Sequence, residues 1–161
     1  MDFILKCVGS LANCSGGRTP WYTVLSCEEN FQDDNEKYRW QDQEGMGIDE
    51  EHYGWIMEVD PFGELPPVEH TVLGRFRHEN AAMRWDGPGK RLVVYMGDDA
   101  KDQYLYKFVS ARPYRQEALR QQRRQLLHEG TLYAADFSKG RWLALDFNAN
   151  KAVLEKAGGR V

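Results

Sequence analysis

Short β-favouring runs, each stopped by a tight-turn string, constrain this chain more than any other feature. Thr23 to Cys27, Gly54 to Val59, Thr71 to Phe76, Arg91 to Met96, Tyr104 to Ser110, Thr131 to Phe137 and Arg141 to Leu145 read as strands. The breaks fall at Asp60-Pro61-Phe62-Gly63, Trp85-Asp86-Gly87-Pro88-Gly89, Gly97-Asp98-Asp99 and Ser138-Lys139-Gly140, all built from residues that tolerate turns. Strands this short and this regularly spaced predict an all-β fold: a sandwich, a barrel or propeller blades. One segment departs from the pattern. Tyr114 to His128 is made of strong helix formers, with Pro113 before it and Gly130 after it, which predicts one inserted helix near 114–128. Its apolar positions, Ala118, Leu119, Leu126 and Leu127, are sparse, so most of its face is assigned to water. Arg112, Arg115, Arg120, Arg123 and Arg124 then read as a solvated face, with an anion patch as the alternative. Gln32 to Glu51, polar and acidic, reads as a surface excursion.

Composition narrows the classes of function. The 161 residues suit one domain, and the formal charge is 21 − 25 = −4. A mildly acidic chain without a basic face argues against nucleic acid as its partner. No apolar run approaches the roughly 20 residues that span a bilayer, which predicts no transmembrane segment. Residues 1–12 are too weakly patterned for a signal peptide, so the chain shows no export signal. Cys7, Cys14 and Cys27 lack zinc-site spacing and read as buried or half-buried thiols; a disulfide or a reactive Cys14 are the other readings. Only three residues separate Cys14 from Arg18, too few for backbone amides to ring a phosphate beside a thiolate nucleophile.

Four strings carry the chemistry. Asn13-Cys14-Ser15-Gly16-Gly17-Arg18-Thr19-Pro20-Trp21 reads as a loop of fixed shape, followed by a strand closed by Ser26-Cys27-Glu28-Glu29-Asn30. Paired carboxylates at a strand end suit a hard metal ion. Further on come Tyr53-Gly54-Trp55-Ile56-Met57-Glu58-Val59-Asp60-Pro61-Phe62-Gly63, Gly74-Arg75-Phe76-Arg77-His78-Glu79 and Val94-Tyr95-Met96-Gly97-Asp98-Asp99. In order and spacing these blocks resemble the PhoX family of alkaline phosphatases, over most of residues 9–145. The resemblance implies a β-propeller of four-stranded blades around a channel. Eight or nine strands amount to about two blades. The chain is therefore expected to be an all-β, partial β-propeller, with 1–161 a fragment of a single propeller domain and the remaining blades missing. The resemblance further implies iron and calcium ions held by carboxylates and one cysteine, a phosphate monoester as substrate, and a periplasmic or secreted location.

Arg77 and Glu79 share a face if their segment is extended, which sets a guanidinium fork beside a metal-binding carboxylate. On the matching motifs the resemblance makes Glu79 a metal ligand and Arg77 the catalytic, phosphate-binding arginine. It makes Glu28 a second ligand, with Glu29 as the alternative. The family's cysteine ligand is expected upstream of the matching blocks, which leaves Cys14 without that role. Asp98 and Asp99 meet a cation or form a polar β-turn, and both readings stand. His78, between Arg77 and Glu79, is expected to point away as a structural residue. After Trp21 the family has a small glycine and then an aromatic, where this chain has Tyr22 and Val24. The implied chemistry is metal-assisted hydrolysis in the full-length protein, since no Ser-His-Asp grouping is visible. The chain alone is expected to be inactive, with further acidic ligands beyond Val161. A non-catalytic propeller remnant or binding module is the alternative function.

Overall fold

A computed structural model describes residues 9–30 and 52–146. Cys7, the excursion at Gln32 to Glu51 and the tail to Val161 lie outside the described residues. The first sheet holds β1 (Asn13–Arg18), β2 (Val24–Glu28), β3 (Ile56–Val59) and β4 (Val68–Glu69); the second holds β5 (Ala82–Arg84), β6 (Arg91–Gly97), β7 (Leu105–Pro113), β8 (Gly130–Asp136) and β9 (Arg141–Ala144). Both are antiparallel meanders in chain order. Two sheets, each strand beside its sequence neighbour, give the all-β architecture that the punctuated runs predict.

The core follows the period of two along the strands. Leu92, Val94 and Met96 of β6 are buried and alternate with half-buried Val93, Tyr95 and Gly97. Leu25 and Cys27 of β2, Ile56 of β3 and Phe108 of β7 join them in one cluster with Trp21, Leu73, Phe76 and Tyr114. The sheets thus share a core. Their seam explains the glycine pair of the opening string. A Cβ on Gly16 would stand 1.8 Å from the Leu25 carbonyl oxygen of β2, and one on Gly17 would stand 1.9 Å from that of Ala81 beside β5. Only glycine lets β1 pass that close to both backbones.

Three expectations about elements change. The opening string is a strand, β1, with an irregularity between Asn13 and Gly16, where a loop was predicted. Thr71 to Phe76 is a 3-10 turn at Thr71–Leu73 and an irregular segment, because Gly74 at φ 91° ends any extended run. The inserted helix shrinks to α1 (Arg120–Arg124) and a 3-10 turn at Gln125–Leu127. Its predicted first turn is lost because Tyr114 is buried and its amide donates to the Lys90 carbonyl at 2.9 Å, continuing the sheet edge.

The helix is solvated on one side, where Gln121, Gln122 and Gln125 are exposed, but two of its arginines turn inward. Arg124 is 6% exposed. Its Nε lies 3.4 Å from Glu58 Oε1, and its Nη2 donates to the Pro66 carbonyl at 2.6 Å. Arg120 Nη2 donates to Asp60 Oδ1 at 2.9 Å, its Nη1 donates to Glu64, and its Nε donates to the Trp21 carbonyl at 2.9 Å. Propensity identified the helix formers, but the arginines turn inward because Glu58 and Asp60, both buried, require cations.

Candidate metal centre

The candidate site stands where the two sheets meet, and backbone pairing builds it. The segment Arg77-His78-Glu79 lies extended between the end of β2 and the end of β6. His78 N donates to the Glu28 carbonyl at 3.1 Å, Glu79 N to the Gly97 carbonyl at 3.1 Å and Asp99 N to the Arg77 carbonyl at 3.0 Å. An isolated antiparallel bridge joins His78 to Asp98. His78 is fully buried and lies ring to ring with Phe76 at 3.7 Å, while its neighbours Arg77 and Glu79 are half-buried. Its Nε2 bonds with the Gly74 carbonyl at 2.9 Å, and burial holds the imidazole down at about 4. The alternation thus turns Arg77 and Glu79 away from the core.

Cys14, Glu29 and Glu79 converge there, with one ligand atom from each lying within 4.8 Å of the others. Cys14 belongs to β1, whose pairing with β2 sets Asn13 against Glu28 and so carries the thiol to the end of β2. Its Sγ donates to the His78 carbonyl at 3.1 Å. Burial raises the Cys14 pKa, and Glu29 and Glu79 raise it further. Burial likewise raises Glu29, together with Asp99, which shares a hydrogen bond with it, and Glu79. A thiol and three acids crowd one another here. Such a grouping favours a cation, whose charge stabilises the ionised carboxylates and thiolate. Sulfur with carboxylate oxygen suits a transition-metal ion, and the carboxylates alone suit a hard cation.

The other predicted ligands are placed as follows. Glu28 is buried, and its carboxylate accepts from Ser10 Oγ and Leu11 N at 2.9 Å each, and from Gly54 N and Trp55 N at 2.9 and 3.1 Å. Those four donors tie β1, β2 and the approach to β3 together. Of the adjacent pair it is Glu29 that reaches the cluster. Asp99 touches it through Glu29, and Asp98 lies beside it, with Oδ1 accepting from Ala100 N at 3.0 Å. Burial raises the Asp98 carboxyl, opposed by the backbone amides of Ala100 and Arg77 and by the Arg77 charge. Arg77, Asp98, Asp99, Lys101 and Tyr106 line a cavity of about 560 Å³. The residue missed by sequence reasoning is Cys14. The resemblance places the cysteine ligand upstream and so sets Cys14 aside; its position one residue past Asn13, on a strand that pairs with β2, carries it to Glu29 and Glu79.

Fold and site together define a class: an all-β protein of two blade-like antiparallel sheets with a thiol–carboxylate centre at their seam. The chain belongs to the alkaline phosphatase PhoX family, whose model matches residues 3–160. A solved structure, Pseudomonas fluorescens PhoX in complex with vanadate, a transition state analogue, is similar with a TM-score of 0.62 and 32% identity over 86% of this chain. The chain spans 30% of that structure's length. A search of curated proteins gives no match. The fold is therefore an all-β, partial propeller. Among the described residues no helix is long and apolar enough to cross a membrane.

Proposed function

We propose that this chain supplies the cation-binding and phosphate-gripping part of a phosphomonoesterase. The observation that carries the reading is the convergence of Cys14, Glu29 and Glu79 within 4.8 Å, beside the cavity that holds Arg77. Membership of an alkaline phosphatase family and likeness to a vanadate complex support it, because vanadate imitates a phosphoryl group in transfer. The bound cations, iron and calcium by family, would supply Lewis acidity toward phosphoryl oxygens. Cys14, Glu29 and Glu79 would hold them, with Asp99 beside Glu29 and Asp98 at the cavity wall. Glu28, whose carboxylate accepts four hydrogen bonds, organises the strands and is not assigned to the ligand set. Among the described residues three donors converge, and calcium takes six to eight oxygens, so further protein oxygens or waters would complete its shell.

The chain's own residues act on the ester as follows. Arg77 grips two phosphate oxygens with its planar fork, orienting the phosphorus toward the carboxylate-lined floor. Its backbone is fixed by the Asp99 amide at 3.0 Å, which ties substrate grip to the ligand cluster. Lys101 adds positive charge to the same cavity.

The test pairs Arg77→Lys with Glu79→Gln in a protein carrying the full ligand set. Arg77→Lys is expected to weaken vanadate inhibition of p-nitrophenyl phosphate hydrolysis while iron and calcium content stays as in the parent. Glu79→Gln is expected to lower metal content and turnover together. Loss of metal in Arg77→Lys, or full metal and turnover in Glu79→Gln, would overturn the assignment.

A further inference from the structure

The far end of β7 carries a second cavity, of about 420 Å³, that the phosphatase reading does not use. Arg112, Arg115 and Arg123 line it together with Gln122, Gln125 and Leu126. Tyr106 lines the first cavity and Pro113 the second, both on β7. Seven steps of strand at about 3.4 Å each separate them by roughly 24 Å. Nothing bound at one reaches the other.

The five arginines of this region divide cleanly. Arg120 and Arg124 turn inward to Asp60, Glu64 and Glu58. The other three surround the cavity, and among the described residues the carboxylate against them is Glu129, 3.9 Å from Arg112 Nε with both side chains more than half exposed. A pair that long and that exposed contributes little and leaves the Arg112 fork available. Arg123 is pinned: its Nη1 donates to the Tyr114 hydroxyl at 3.2 Å, and the Tyr114 ring packs against Trp21 and Trp85. Its Nε is buried without a partner, so this guanidinium is incompletely satisfied. Three guanidinium groups around one concavity repel one another until an anion neutralises them. The cavity falls in the usual range for small-molecule sites, about 300–1,000 Å³, and offers more room than a bare oxyanion fills. Gln125 offers its amide and Gln122 its amide nitrogen, the Gln122 oxygen accepting from Leu119 N at 3.2 Å, to hydroxyl groups, and Leu126 supplies an apolar wall.

We propose that this cavity binds a small phosphorylated organic molecule, its phosphate gripped by Arg112, Arg115 and Arg123, independently of the metal centre. Planar forks suit phosphate oxygens better than a single carboxylate demands, and the glutamines meet the hydroxylated remainder. The proposal does not depend on hydrolysis at the other cavity.

Calorimetric titration of the full chain, stripped of metal with EDTA, tests it with two probes: sn-glycerol 3-phosphate and inorganic phosphate. The expected result is saturable binding of both, tighter for glycerol phosphate. Arg112 and Arg115 are exposed, so the double substitution Arg112→Gln/Arg115→Gln is expected to leave the thermal melt unchanged. It should weaken glycerol phosphate binding about tenfold or more, the scale of one lost charge-assisted hydrogen bond. No saturable binding of either probe overturns the proposal. So does binding that survives the double substitution and disappears in Arg77→Gln, which would assign the signal to the first cavity. Equal affinity for the two probes would overturn the organic part of the ligand and leave a bare anion site.

Discussion

Two groups of carboxylates stand near the seam of this molecule, and the chain treats them in opposite ways. Glu58 and Asp60 are buried and each is supplied with protein cations. Glu58 accepts from Trp21 Nε1 at 2.8 Å and Thr23 Oγ1 at 2.6 Å, and bonds with His70 Nε2 at 2.6 Å, with Arg124 alongside. Burial would raise its carboxyl, but the bonds from His70, Thr23 and Trp21 outweigh burial and lower it. Glu29, Glu79 and Asp99 crowd each other and Cys14, and there burial and like charge push Glu29 the other way. One group is complete within the chain. In the other, carboxylates of like charge stand together with a thiol. Two clusters of the same residue type therefore differ in what they meet: Arg124 and Arg120 pair with Glu58 and Asp60, whereas Glu29 and Glu79 gather beside the Cys14 thiol.

The largest effect expected is at the complete group. Glu58→Gln leaves Arg124 and His70 without their partner and should lower stability by about 3–5 kcal/mol. Thermal melts of the EDTA-treated chain measure it, and an unchanged midpoint would show that the ion pairs are not what holds α1 in place. At the incomplete group the expected effect is on ligand binding. Glu29→Gln should reduce iron or calcium affinity by about a hundredfold or more, beyond what outer-sphere changes usually cause. The metal-free melt should hold steady or rise, because removing one charge relieves crowding. A collapse of the metal-free melt would erase the contrast between the two groups.

Acid should separate them as well. Burial would raise the Asp60 carboxyl, but the bonds from Arg120 and from the amides of Phe62 and Leu65 outweigh it and hold it at about 2. A carboxyl lowered from an ordinary value of 3.8 contributes stability that is complete above that value and is lost as pH falls through about 2. Melts taken across pH 4 to 2 should show this loss, shallower in Arg120→Gln; equal slopes in both would remove Asp60 as the cause. The smallest effect concerns the turn that enters β2. Tyr22 sits at φ 66° and is 63% exposed, a conformation that suits glycine. Tyr22→Gly should raise stability by about 0.5–1 kcal/mol, read as a small gain in melt midpoint.

Several parts of this molecule were legible in the residues alone. The β-favouring residues of Arg91 to Met96 and Thr131 to Phe137 marked strands because propensity and flanking turns need no distant partner. The turn strings did so because Pro61 and Gly63 fit a tight turn whatever surrounds them, and Gly63 N indeed donates to the Asp60 carbonyl at 3.2 Å. The same local logic set His78 apart from Arg77 and Glu79. Tyr22 is a local matter too: the backbone there is left-handed, which gives a physical reason for the glycine of the family pattern.

What the chain could not announce depends on groups distant in sequence. Glycines read as loop formers, and the strand they form at β1 exists because Gly16 and Gly17 must slip past Leu25 and Ala81. That placement alone carries Cys14 to Glu29 and Glu79, 15 and 65 positions away. Adjacent Glu28 and Glu29 are alike as letters. The backbone amides of Leu11, Gly54 and Trp55 close around the first, and the second is left to the cluster. The arginines of α1 look solvated in any helical projection, yet Asp60 and Glu58 draw two of them inward. Residue type and spacing decide strands and turns because their energetics are local. Which carboxylate pairs with a guanidinium and which gathers beside a thiol is decided by groups dozens of residues apart, and only the folded chain brings those together.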